Sequence, residues 1–212
     1  MTELIFIRHG YSEGNLGHCF SGQRDFPLTA AGERQARELC EYLCRTFRID
    51  AIYASDLCRA CDTVRPLAEA LSLPIHKTAA LREIDVGLWE GMLREDVEKR
   101  YPEENAVYLT TPGLLRFPGG ESFAEMRDRA LAEVQKIVEE NEGRTVAIAT
   151  HGGLIRVLRT LWEDIPLAEM AAIPHVANAS VTLVRYEGES ATLLAAGVCD
   201  YLSEKITEKL PK

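Results

Sequence analysis

The sequence predicts an α/β fold: a three-layer sandwich with a mainly parallel central sheet, helices on both faces and a small cap insertion over the active site. Three observations predict it. Short apolar runs at residues 4–7, 49–54, 75–81 and 145–149 alternate with segments whose apolar residues recur at helical spacing. That alternation gives βαβ units, whose right-handed crossovers place helices on both faces of the sheet. Two of the runs end alike, in Arg8-His9-Gly10 and in Thr150-His151-Gly152-Gly153, and open α/β sheets bind ligands beyond the carboxyl ends of their strands. Between residues 84 and 117 the rhythm breaks into a charged, aromatic stretch, which reads as the cap. The 212 residues fit one domain, 1–212, with the cap at about 84–120, and a hydrophobic content of 46% supplies a sizeable core.

Taken in order, residues 4–7 form a buried strand ending at His9, with a glycine behind it that allows close backbone approach. A loop rich in Gly, Ser and Asn follows, over residues 10–28. Thr29 is the N-cap of a helix with Ala36, Leu39, Cys40, Leu43 and Phe47 on one face. The second strand, 49–54, ends at Ser55-Asp56. The helix after it turns Val64, Leu67, Ala68 and Leu71 inward, with a kink expected at Pro66 and a stop at Pro74. Ile75 opens a third strand that runs to about Leu81. Inside the cap, helical patterns lie near 95–100 and 105–110. Ser122-x-x-Glu125 is a capping box. It opens a helix with Phe123, Met126, Ala130, Val134 and Ile137 on one side, ended by Asn141-Glu142-Gly143. After the strand at 145–149, a helix presents Leu154, Leu158, Leu161 and Trp162. Residues 179–186 and 191–198 are two last strands joined as a hairpin through Glu187-Gly188-Glu189-Ser190. There is no periodic repeat.

A net charge of -9 argues against non-specific nucleic-acid binding, though it permits a locally positive pocket for an anion. No apolar run is long enough to span a membrane. Met1-Thr2-Glu3 leads directly into the first strand without a signal peptide, and Cys40/Cys44 and Cys58/Cys61 are poorly spaced for a disulfide framework. Reduced cysteines and a cytoplasmic location are therefore expected. Cys58-x-x-Cys61 has no second pair at ligand spacing, so neither a metal nor a redox centre is expected.

Arg8-His9-Gly10-x-Ser12-x-x-Asn15, followed by Ser21-Gly22-Gln23-x-Asp25-x-Pro27-Leu28-Thr29-x-x-Gly32, resembles the signature of the histidine phosphatase superfamily, the phosphoglycerate mutase-like proteins. Ser55-Asp56-Leu57-x-Arg59-Ala60, Leu81-x-Glu83 with Gly87-x-Trp89-Glu90-Gly91, Gly119-Gly120-Glu121-Ser122 and Thr150-His151-Gly152-Gly153 continue the resemblance in the family's order. The resemblance implies that His9 is a nucleophile that carries the phosphoryl group covalently. It implies that Glu83 protonates the leaving oxygen and then activates water, and that His151 donates to a phosphate oxygen. Arg8 and Arg59 are the expected phosphate clamp, since guanidinium forks match phosphate geometry. Asn15, Ser21 and Gly22 add hydrogen bonds, and the helix N-terminus at Gly152 adds its dipole. Such covalent catalysis needs no metal or cofactor. His18, His76 and His175 have no motif support.

Phytase-like relatives carry Arg-His-Gly-x-Arg-x-Pro, which Tyr11-Ser12-Glu13 does not match. Mutases of the family carry Glu-Arg-His-Tyr-Gly after the acid and paired arginines in a longer insertion. Here the acid is followed by Ile84-Asp85-Val86-Gly87, and the insertion has no Arg-Arg pair. The expected activity is therefore hydrolysis of a small-molecule phosphomonoester, of broad specificity or like α-ribazole phosphate. A cofactor-dependent phosphoglycerate mutase and a non-catalytic binding protein on the same fold are the alternatives. The sequence leaves the oligomeric state open.

Overall fold

A computed structural model describes residues 1–204. Among them, six strands form one sheet in the order β3-β2-β4-β1-β5-β6. β1 (Thr2–Arg8), β2 (Ala51–Ser55), β3 (Ile75–Thr78) and β4 (Thr145–Thr150) are mutually parallel. β5 (Val181–Glu187) runs antiparallel to β1 and forms a hairpin with β6 (Ser190–Val198). The alternation along β1 divides the core. Ile5 and Ile7 pack with Leu39 and Leu43 of α2 (Ala30–Thr46) and with Val64 and Leu67 of α3 (Cys58–Leu71). Leu4 and Phe6 face the other way, against α6 (Phe123–Glu140), α7 (Gly152–Trp162) and residues of the cap. No helix among the described residues is long and apolar enough to cross a membrane.

Most expected elements form, with informative differences at their ends. Thr29 caps α2 through its side chain, which accepts from Gly32 N at 3.1 Å. Phe47 lies one residue beyond that helix in extended backbone rather than on its face. β3 stops at Thr78, because its partner β2 ends at Ser55, the residue opposite, and no ladder continues. Residues 79–81 instead form a 3-10 turn that buries Leu81 completely. β2 starts at Ala51, since Asp50 is engaged before it: its carboxylate accepts from Thr145 N at 3.0 Å. The helix α3 continues through Pro66 and ends at Ser72, whose left-handed backbone (φ 54°) terminates it two residues before Pro74. In α7, Ile155 and Val157 are buried with Leu154 and Leu158, whereas Leu161 is 40% exposed because the last turn clears the core. The loop over 10–28 contains one helical turn, α1 (Glu13–Leu16), closed by a capping box between Ser12 and Asn15.

The cap consists of α4 (Arg94–Arg100), α5 (Pro102–Thr110) and 3-10 turns at Gly87–Trp89 and Pro112–Leu114. Trp89 is its fully buried anchor, with Phe20 and Phe117 edge-on at ring distances of 4.9 and 5.1 Å. Backbone bonds from Gly91 N to Phe20 O (2.8 Å) and from Phe20 N to Met92 O (3.0 Å) sew the cap to the first loop. Gly87 has φ +53°, and a Cβ there would lie 2.3 Å from Pro118 O, so the turn into the cap requires glycine.

Candidate active site

The parallel register places Arg8 of β1 beside Thr150 of β4. The next residue on each strand, His9 and His151, therefore emerges at the same level, with ring centroids 5.2 Å apart. His9 N donates to Thr150 O at 2.9 Å, and His9 O accepts from Asn178 Nδ2 at 3.0 Å, which fixes the backbone under the ring. His9 Nδ1 lies 2.8 Å from Gly10 O. A carbonyl only accepts, so the ring proton belongs to Nδ1 and the lone pair to Nε2. Burial first, then the charges of Arg59 and Arg8, hold the His9 pKa well below its ordinary value, against the pull of the Gly10 bond. The imidazole is neutral at physiological pH.

His151 is fully buried and caps α7; its Nε2 lies 2.8 Å from Ser55 Oγ. Burial, then Arg59 and His9, push its pKa well down as well. Its ring stands directly beside that of His9, and among the described residues its Nδ1 has no hydrogen-bond partner.

Arg59, in the first turn of α3, is 1% exposed. It donates through Nη1 to Arg24 O and through Nη2 to Gly22 O, each at 2.8 Å, so it shapes the loop of Ser21 and Gly22 as well as facing the cleft. Among the described residues its Nε has no hydrogen-bond partner. Arg8 Nη1 donates to Val176 O at 2.7 Å. A Cβ on Gly152 would fall 3.1 Å from Arg8 Nε, so the bare glycine leaves room for the guanidinium at the N-terminus of α7.

Glu83 leaves the 3-10 turn after β3. Its Oε1 accepts from Ile84 N at 2.9 Å and its Oε2 from Gly153 N at 3.0 Å. Arg129 of α6 holds this segment from behind. It donates to Ala80 O, Arg82 O and Glu83 O, each at 2.9 Å, and forms a two-pronged pair with the Glu121 carboxylate. On the opposite side, Glu90 accepts from Gln23 N at 2.6 Å and closes over Gly22, whose φ is +45°. Burial raises the Glu90 pKa above the usual carboxylate range.

One cleft of about 110 Å³ joins these groups. Arg8, His9, Arg59 and Glu83 line it, as do Asn15, Ser21, Gly22 and Gly152 from the surrounding turns. Asn15 Oδ1 accepts from Ser12 N (3.1 Å) and Asn178 Nδ2 (3.2 Å), which ties its side chain to the backbone that carries His9. Among the described residues no group of three His, Cys, Asp or Glu side chains is arranged to hold a metal ion. Cys58 and Cys61 are free, their thiols directed to the carbonyls of Phe26 and Ser55.

Sequence reasoning missed three polar residues on the wall, Tyr108 of the cap, Arg156 of α7, and His175, and it noted Arg94 of the cap only as bearing on the choice of substrate. Arg156 had a readable signal, since it lies four residues after Gly152 and so on the same helical face. His175 comes from the connection between α7 and β5, where no periodicity marks a side chain's direction.

The chain is similar over most of its length to several phosphatases and solved structures. Phosphoserine phosphatase 1 of Hydrogenobacter thermophilus is 30% identical over 98% of both chains. The metal-independent phosphoserine phosphatase of Arabidopsis thaliana is 32% identical over 87% of this chain and 76% of its own. Among solved structures, Bacillus stearothermophilus YhfR superposes with a TM-score of 0.91 at 31% identity, covering 95% of this chain and 99% of its own. A mycobacterial glucosyl-3-phosphoglycerate phosphatase in complex with VO3 gives 0.86 at 28%, covering 93% and 99%. The sequence pattern of the histidine phosphatase superfamily (branch 1) matches residues 4–198, from the first strand through the last. With that match lying over the sheet and over every residue of the cleft, the chain belongs to the histidine phosphatase superfamily, branch 1.

Proposed function

We propose that the protein hydrolyses small-molecule phosphomonoesters through a covalent phosphohistidine on His9. The observation that carries this reading is the Nδ1 bond to Gly10 O, which reserves Nε2 of a neutral, buried imidazole for attack at the end of β1. Arg8 and Arg59 neutralise the equatorial phosphoryl oxygens. If the Ser55 hydroxyl donates to His151 Nε2, Nδ1 of that neutral ring carries a proton for a phosphoryl oxygen, and the Arg59 Nε–H offers another.

In the first half-reaction Nε2 bonds to phosphorus, the P–O bond to the alcohol breaks, and a proton from a Glu83 carboxyl oxygen moves to the departing oxygen. In the second, water attacks phosphorus, Glu83 takes its proton, the P–Nε2 bond breaks and phosphate leaves. The names of the phosphoserine phosphatases and the glucosyl-3-phosphoglycerate phosphatase support hydrolysis over phosphoryl return to substrate. A cytoplasmic setting belongs to the same reading, supported by the free cysteines.

Rapid quench with labelled phosphomonoester tests the mechanism. Wild type should yield an acid-labile, base-stable phosphoprotein, before and after chelator dialysis, and His9→Ala should yield none. Equal label in both proteins would refute His9 as the nucleophile, and loss of turnover restored only by a divalent ion would overturn the metal-free route.

A further inference from the structure

The readiness of His9 rests on one acceptor, the Gly10 carbonyl that keeps the ring proton on Nδ1. In water a neutral histidine favours the other form, with the proton on Nε2, so the tautomer is only as secure as the position of that carbonyl. Gly10 has no side chain to hold it. It also lies beyond the sheet pairing, since the ladder of β1 with β4 ends at Arg8 and that with β5 at Ile7.

Side chains from distant parts of the chain hold it instead. The peptide between His9 and Gly10 is gripped on both sides. Its N–H donates to Thr63 Oγ1 of α3 at 2.8 Å, and that hydroxyl donates its own proton to Arg59 O at 2.6 Å. Its carbonyl, His9 O, accepts from Asn178 Nδ2 at 3.0 Å and from Ala179 N at 3.2 Å. The next peptide repeats the pattern. Tyr11 N donates to Gln35 Oε1 of α2 at 2.9 Å, and Gly10 O lies 3.4 Å from the same Asn178 amide nitrogen. Asn178 thus serves both peptides.

That amide also donates to Asn15 Oδ1 at 3.2 Å, an atom fixed as oxygen by the bond it accepts from Ser12 N. Three acceptors therefore face Asn178 Nδ2, and the side chain turned over would set its own oxygen against all three. Asn178 is fully buried, and among the described residues its Oδ1 has no hydrogen-bond partner. A polar group half satisfied in the core costs stability. Its neighbour Ala179 adopts φ 53°, a strained conformation for a residue with a side chain, and from it the N–H meets His9 O.

We infer that Asn178 is a positioning residue for the nucleophile: with Thr63 opposite, it fixes the two peptides that keep the proton on His9 Nδ1 and the lone pair on Nε2. The inference rests on the phosphohistidine reading and extends it to a side chain far from His9 in sequence.

The ¹⁵N NMR signals of the His9 ring, assigned by their loss in His9→Ala, report the tautomer without turnover. Wild type at neutral pH should show the Nδ1–H form. Asn178→Ala should show a mixture with the Nε2–H form. Its pre-steady-state burst should fall about 10- to 100-fold with KM little changed, as for a misplaced reacting group. Lost stability alone does not move a tautomer. Ile137→Val, a small cavity in α6 beside the Asn141 turn that bonds the start of β1, should therefore lower the urea midpoint and leave ring pattern and burst unchanged. Should Asn178→Ala fail to fold, Thr63→Val keeps the shape without the hydroxyl and decides by the same two readouts. A folded variant with the wild-type ring pattern, or with the wild-type burst, overturns the inference. Absence of label on His9 in wild type is a separate result: it removes the nucleophile reading, and the positioning role with it.

Discussion

Glu83 occupies a position where two backbone N–H groups, from Ile84 and Gly153, hold its carboxylate on the cleft that His9 also lines. A proton donor in that place matters in proportion to the basicity of the leaving oxygen. An alkyl oxide needs the proton in the transition state and an activated aryl oxide needs it far less. Glu83→Gln keeps the shape and removes the titrating proton, so it should slow phosphorylation of His9 by alkyl phosphates about 10²–10⁴-fold. The pre-steady-state burst with p-nitrophenyl phosphate should slow clearly less. An equal fall for both ester classes would move the role to another residue, Glu90 or Asp85. The neighbouring glycine admits a complementary change. A Cβ at Gly153 would lie 2.4 Å from Glu83 Oε1, so Gly153→Ala must displace the carboxylate. Its expected result is a fall in kcat for alkyl phosphates with little change in thermal midpoint, and an unchanged kcat would show that Glu83 acts from elsewhere.

The elements that place these side chains were unequally legible in the sequence. β1, β4 and the helices α2, α6 and α7 have long periodic apolar patterns, and strand ends that run into His-Gly mark their own chemistry. The capping box at Ser122 was equally plain, and it is present as read: Ser122 Oγ accepts from Glu125 N at 3.2 Å. Removing it in Ser122→Ala should cost about 0.5–2 kcal/mol, measurable as a lower urea midpoint with an unchanged m-value. What the sequence hid were features that depend on partners distant in the chain. The end of β3 is set by the end of β2, and the strut from Arg129 to Ala80, Arg82 and Glu83 spans almost 50 residues. The cap's contribution to the cleft was hidden for the same reason. α5 buries no residue fully, so its pattern gives no inward face, yet Tyr108 from it reaches the wall.

For the whole molecule, two buried neutral histidines under the sheet's carboxyl edge make folding sensitive to acid. His9 and His151 both have folded pKa values well below the ordinary 6.5, chiefly through burial. The unfolded chain binds protons near 6.5 that the folded chain refuses. Their contribution is therefore fully present above that pH and is lost as pH falls from 6.5 toward the folded values, by up to about 1.4 kcal/mol per histidine per pH unit. Urea midpoints should drop steadily between pH 7 and pH 5, and a flat profile would mean that protons reach both rings in the folded state. The same two histidines illustrate how the architecture divides responsibility. They are aligned by a single ladder, Arg8 beside Thr150, and no residue between 84 and 122 takes part in it. Changes of length or charge in the cap therefore leave the pairing that aligns the two histidines untouched. On such a scaffold, substrate preference is free to drift through gene duplication while the bond-breaking pair is inherited intact.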